Sequence, residues 1–197
     1  MAKKDGTQDL SDLLYQYGVD LRSRILYLDG NDSEGEVDRS MVLQAIKGLS
    51  ILAQSPEPLH IILNTPGGDT DQGFALYDYI KQLPNEVSIT VLGNAHSMGV
   101  YILQAADIRR ITKHSTILLH DGENRFGGHN RRTVHAWYEM TKTWDSWADE
   151  IILEALREKD PTFSKQKLQS WLSSDKIFTA EQALEVGLVD EIVEDAK

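Results

Sequence analysis

The chain has 197 residues, of which 41% are apolar and 26% charged, with a formal net charge of −11 and no cysteine. That length and apolar content suit one ordinary globular domain burying roughly 70% of its unfolded surface. The acidity argues against a nucleic-acid partner, which needs a basic patch, and the lack of cysteine excludes disulfides and thiolate metal sites.

No apolar run approaches membrane-spanning length, and the opening MAKKDGTQDL has no apolar signal core. The expected location is therefore the cytoplasm, without a membrane partner. The densest basic cluster, His129 to Arg132, is short and reads as a solvated face.

Residues 1–9 are polar and expected to be loose. Leu10, Leu13, Leu14 and Tyr17 follow helical spacing, and Gly18 stops the pattern. A strand is predicted over 24–28 and a loop over 31–38. Met41, Val42, Ala45, Ile46, Leu49 and Leu52 form one face of a helix that Pro56 and Pro58 close. Residues 59–63, LHIIL, read as a strand buried on both sides. Pro66-Gly67-Gly68 is a turn, and Asp69 or Thr70 caps a helix that carries Phe74, Leu76, Tyr77 and Ile80.

A strand over 88–92 leads into GNAHSMG, residues 93–99, read as a sharp turn before a helix. A further strand covers 115–120. The strand starts at 24, 59, 88 and 115 are 35, 29 and 27 residues apart, the period of βα units. After the glycine-bearing stretch 121–130, a long helix is predicted from about 131 to 158, broken by Asp160-Pro161. A short helix over 164–172 follows. Thr179-Ala180-Glu181-Gln182 has the pattern of a capping box whose helix Gly187 ends, and Leu188-Val189 starts a last strand.

Ser97 stands where a strand turns into a helix, beside unpaired backbone N–H groups and the positive end of the helix dipole. A hydroxyl there is either an ordinary N-cap or a nucleophile with oxyanion donors at hand. A nucleophile needs a base. His96 is adjacent and points apart, His60 lies inside an apolar strand, and His114 lies in a polar turn. His129 and His135 belong to the basic start of the long helix. His120 ends a strand, as Ser97 does, and strand ends carry the site in parallel sheets. The pattern leaves the orienting acid open among Asp69, Asp121, Asp175 and Asp190. No phosphate-loop, dinucleotide or H-E-x-x-H spacing is present, so neither nucleotide nor metal binding is expected.

NTPGG, then GNAHSMG, then a strand ending in His120, then SDKIFTAEQALEVGLVDEI, together resemble the proteolytic subunit of Clp protease, a family of serine peptidases. The resemblance runs in order from about residue 20 to 193. It implies the crotonase-like α/β spiral of ββα units in a single domain, with residues from about 123 to 158 as a protruding helical handle. It also implies Ser97 as nucleophile, His120 as base, Asp175 as acid, and the amides of Gly68 and Met98 as oxyanion hole. No cofactor and no metal are implied. The implied substrates are peptides or unfolded proteins, hydrolysed inside a homo-oligomer of stacked, usually heptameric rings fed by a separate AAA+ ATPase.

Three departures stand out. The family's His-Gln-Pro is His120-Asp121-Gly122 here, which adds a charge beside the histidine. The Arg before the acid, which couples ring stacking to activity, is Ser174. The apolar N-terminal opening that docks the ATPase is absent. The alternatives are a phage head-maturation or signal-peptide-peptidase-like protease, a non-catalytic ring subunit, and an acyl-CoA enzyme of the same fold. Finally, Trp137, Met140, Trp144, Trp147 and Ile151 fall at offsets 0, 3, 7, 10 and 14, a helical stripe expected to be buried between rings.

Overall fold

The computed structural model describes residue 14 and residues 16–29, 35–122 and 130–193. The expectations for 1–9, for most of the first helix and for 31–34 lie outside the described residues. So does most of the stretch 121–130.

Two strands organise the chain. β3 (Leu59–Thr65) and β4 (Val87–His96) pair in parallel, with Ile61 opposite Ile89 and Leu63 opposite Val91. Their alternate residues Leu59, Ile61, Leu63, Val87, Ile89 and Val91 are all buried. The expectation that 59–63 is buried on both sides is corrected. His60 and Ile62 are only half-buried, because helices cover one face of this part of the sheet more fully than the other.

Around this pair, β1 (Val19–Asp20) joins β2 (Ile25–Leu28) antiparallel, and β2 joins β3 in parallel. The other edge of β4 is shared. Its first half pairs with β5 (Ile108–Thr112), which in turn pairs with β8 (Glu191–Val193). Its second half pairs with β6 (Thr116–Leu119), and β6 pairs antiparallel with β7 (Lys176–Thr179). Among the described residues this makes one eight-stranded mixed sheet.

The regular helices are α1 (Arg39–Leu52), α2 (Thr70–Lys81), α3 (Met98–Leu103), α4 (Arg131–Lys159), α5 (Lys165–Leu172) and α6 (Ala180–Val186). Capping groups close several of their ends. Asp38 accepts from the Met41 amide at the start of α1, and Ser164 from the Lys167 amide at the start of α5. Thr179 and Gln182 close a reciprocal capping box on α6, and Gly187 ends it in the left-handed region at φ 89°.

Three strand readings change. The 27-residue interval after β4 is no single βα unit. The helix after β4 spans six residues, so the chain fits β5 in before β6. β5 escapes an apolar-pattern reading because Arg109 and Arg110 interrupt it. Arg109 is nonetheless buried, with its guanidinium on Asp190 at 2.6 and 3.1 Å. β7 runs directly into the capping box, sharing only Thr179 with it, and the last strand begins at Glu191.

The long helix α4 has two halves. Ile152, Leu153, Ala155 and Leu156 are buried in the core, while most of the first ten residues are exposed. The stripe divides in the same way. Trp144 and Ile151 pack against the core, and Trp147 meets Phe74 edge-on at 5.8 Å. Trp137 leans on Trp144 and stays 43% exposed. Part of the stripe is thus spent inside the subunit, where α4 lies over α3 and α5.

Candidate active site

The strand β4 does not stop at Leu92. Two extra residues between Val91 and Ala95 form a bulge opposite Asn64, and the strand continues to His96. The expected seven-residue turn is therefore corrected to a single residue, Ser97. Its amide donates to the Leu118 carbonyl at 2.9 Å, which fixes it at the ends of β4 and β6.

Ser97 has φ 49° and ψ −121°, a conformation that L-residues with a Cβ adopt only under strain. It holds the N-cap position of α3, yet its side chain makes no capping hydrogen bond. The ordinary explanation for a serine at a helix start thus fails here. Ser97 lines a cleft of about 200 Å³.

His120 and Met98 line the same cleft, as does Gly68. Register explains the histidine. His96 pairs with Leu118, so the residues that follow each strand, Ser97 and His120, leave the same end of the sheet. His120 Nε2 is shielded from water and has no hydrogen-bond partner among the described residues. Its Nδ1 lies 4.0 Å from Asp175 Oδ1. The β6–β7 pairing sets that approach, because Leu119 stands opposite Lys176 and the next residue out on each strand is His120 and Asp175. Asp175 is exposed and also has a positive φ, 49°.

The glycine pair stands against the serine turn. A Cβ on Gly67 would lie 2.6 Å from Ser97 Cβ and 2.8 Å from the His96 carbonyl oxygen, and its φ is +100°. Gly68 forms a bridge with Val37, in which the Val37 amide donates to Gly67 and the Asp69 amide donates to Val37. Alternation along an extended chain leaves the Gly68 amide on the opposite side. Neither it nor the Met98 amide donates to another group among the described residues. Thr65, which the sequence did not single out, pins this loop. Its buried hydroxyl donates to the Gly35 carbonyl and accepts from the Gly67 amide at 3.1 Å.

The remaining histidines are elsewhere or occupied. His96 Nε2 is 2.9 Å from Thr116 Oγ1, and His60 Nδ1 is 2.8 Å from Ser88 Oγ. His114 lies in the β5–β6 turn and His135 on exposed α4, while His129 lies outside the described residues. Of the four candidate acids, Asp190 is taken by Arg109, Asp69 is the N-cap of α2, and Asp121 lines the cleft. Asp175 is the one paired with His120. The cleft's outer wall was not foreseen. It comes from α4 and α5, through Thr141, Trp144, Asp145, Asp149 and Gln169. No group of three metal-ligating side chains occurs among the described residues, and none of the described helices is long and apolar enough to cross a membrane.

A strained serine, an unpartnered imidazole nitrogen and two free amides around one cleft fit the class of hydrolases that act through a side-chain nucleophile. The particular family follows from comparison with known proteins. The Clp protease family model matches residues 15–196, and the chain belongs to that family of proteases. It is similar to the ATP-dependent Clp protease proteolytic subunit 1 of Chlamydia abortus, 33% identical over 200 residues, covering 98% of this chain and 97% of the relative. The corresponding protein of Chlamydia caviae is 35% identical over 168 residues, covering 82% and 84%. The ATP-dependent Clp protease proteolytic subunit of Deinococcus radiodurans is 28% identical over 180 residues, covering 90% and 83%.

Proposed function

We propose that this protein is a serine endopeptidase in which Ser97, His120 and Asp175 act as the triad. The observation that carries this reading is the Ser97 hydroxyl. It does not cap its helix, and it shares a cleft with an unpartnered His120 Nε2.

In the reaction, Ser97 Oγ attacks the peptide carbonyl carbon as His120 Nε2 takes the hydroxyl proton. The carbonyl π bond opens to an oxyanion held by the Gly68 and Met98 amides. The C–N bond then breaks and His120 passes its proton to the leaving amine. Water attacks the acyl-serine, gives a proton to His120, and the acid departs as the proton returns to Ser97 Oγ. Asp175 holds His120 with Nδ1 protonated, so that Nε2 is free to accept. The 4.0 Å separation is longer than a hydrogen bond, and it tightens when substrate is bound.

The functional unit we propose is a single-domain subunit of a homo-oligomer of stacked rings in the cytoplasm, acting on peptides and unfolded proteins. The relatives are named as ATP-dependent, whereas this sequence has no nucleotide-binding motif. A separate AAA+ ATPase would therefore deliver folded substrates.

Labelling with a fluorophosphonate or β-lactone, followed by mapping of the modified peptide, tests the reading. The expected adduct is on Ser97. Modification of another residue, or none, would overturn it.

A further inference from the structure

The cleft beside Ser97 carries more negative charge than peptide hydrolysis requires. Asp121, Asp145 and Asp149 line it, and among the described residues no lysine or arginine does. Asp149 is buried, and its carboxylate is already paired. Gln169 Nε2 donates to both its oxygens at 2.9 Å, and Lys165 Nζ lies 2.8 Å from Oδ2. Asp145 lies one turn earlier on the same face of α4 and has no hydrogen bond or ion pair among the described residues. The same holds for the Asp121 carboxylate.

The charges strain one another. Partial burial pushes the Asp145 carboxyl above its ordinary range, and the charges of Asp149 and Asp121 push it further. Burial raises the Tyr101 hydroxyl in the same cleft, again with Asp149, Asp145 and Asp121 adding to it. A cation brought into this space relieves all of these interactions at once. Asp149 already holds one ammonium, that of Lys165. Along the sides stand Phe74, Tyr101 and Trp144. Such rings accept an aliphatic stem along their length and a cationic head over their faces.

We propose that this cleft takes the side chain on the acyl side of the cleaved bond and selects lysine or arginine there. Asp145 is the residue that sets the preference, and Asp121 adds to it. The proposal rests on the serine-peptidase reading above. Because Asp145 stands at the solvent-exposed rim, its effect on selectivity is about threefold to fivefold and weakens with salt.

The test uses the full-length protein and peptides that differ only at this position, bearing Lys, Arg, Leu or Glu. Lysyl and leucyl phosphonate probes are added as a readout that needs no turnover. The expected kcat/KM is about tenfold higher for Lys and Arg than for Leu, lowest for Glu, with the gap narrowing at high salt. Asp145→Asn lowers the Lys-to-Leu ratio by about threefold to fivefold, and Asp145→Lys favours the Glu peptide over the Lys peptide. Glu185→Gln, on exposed α6 outside the cleft, leaves the ratio where it was.

If the leucyl probe labels Ser97 as fast as the lysyl probe, or if Asp145→Asn leaves the ratio unmoved, the specificity proposal is wrong and the peptidase reading stands. If no peptide is cut and neither probe labels Ser97, the peptidase reading falls, and this proposal falls with it.

Discussion

His120 faces Asp175 because Leu119 pairs with Lys176. The β6–β7 register carries each chain one residue past the pair and brings Nδ1 to 4.0 Å from Oδ1. The two residues are 55 positions apart in sequence and are brought together by the sheet, with the Asp121 amide donating to the Leu172 carbonyl beside them at 3.0 Å. Asp175→Asn removes the charge that favours the Nδ1–H form of the imidazole. The expected loss in kcat is at least about 100-fold, with the circular dichroism of the fold unchanged. A variant with wild-type turnover would remove Asp175 from the mechanism.

Ser97 combines function with strain. Ser97→Ala keeps the strained φ of 49° and loses the hydroxyl, so peptide cleavage falls by several orders of magnitude, about 10⁶-fold in a well-studied serine protease. Ser97→Gly loses the hydroxyl and relieves the strain. The glycine variant is expected to be more stable than the alanine variant by about 1 kcal/mol, read by urea denaturation. Equal stability of the two would show that the turn is not under strain.

Gly67 is the surface on which the serine turn rests. In Gly67→Ala the new methyl falls 2.6 Å from Ser97 Cβ, and the backbone stays at φ +100°. Both effects push the serine turn outward. The expected result is a stability loss of about 1–3 kcal/mol and slower probe labelling at Ser97. Labelling at the wild-type rate would mean that the glycine loop does not position the serine.

Acid should weaken the fold through two part-buried histidines. Burial lowers the pKa of His60, with Arg110 adding to it, and burial lowers that of His96, with His120 adding. Each therefore binds a proton more readily unfolded than folded. The stability they contribute is present above their unfolded value of about 6.5 and is lost as pH falls below it, through the depressed folded values. The urea midpoint is expected to drop between about pH 7 and pH 5.5. Combining His60→Asn with His96→Asn should flatten that drop, and an unchanged slope would assign it to other groups.

Assembly is best probed on the outer half of α4. Trp144 lines the cleft, so its replacement would confound ring contacts with catalysis. Trp137 and Tyr138 are 43% and 52% exposed. The double variant Trp137→Glu with Tyr138→Glu should break the oligomer into smaller species, measured by light scattering at several concentrations. An unchanged mass would place the subunit contacts elsewhere.

Much of this protein was legible in its sequence because local rules suffice for those parts. Thr179, which opens the capping-box pattern, acts on an amide three positions away. The apolar face of α1 repeats at fixed spacing, and Ser97 and His120 announced themselves as residues at strand ends. Other features depend on groups distant in the chain. β5 was invisible because its two arginines read as surface, until Asp190, 81 residues onward from Arg109, came to neutralise one of them. Nothing local distinguished Asp175 from Asp69, Asp121 or Asp190; the resemblance chose it, and strand register brings it to His120. The carboxylates of the cleft wall lie on a helix that the sequence reads only as amphipathic. Which of its faces meets Ser97 is decided by how α4 packs on α3 and α5, because helical periodicity fixes the spacing of side chains and says nothing of what stands opposite them.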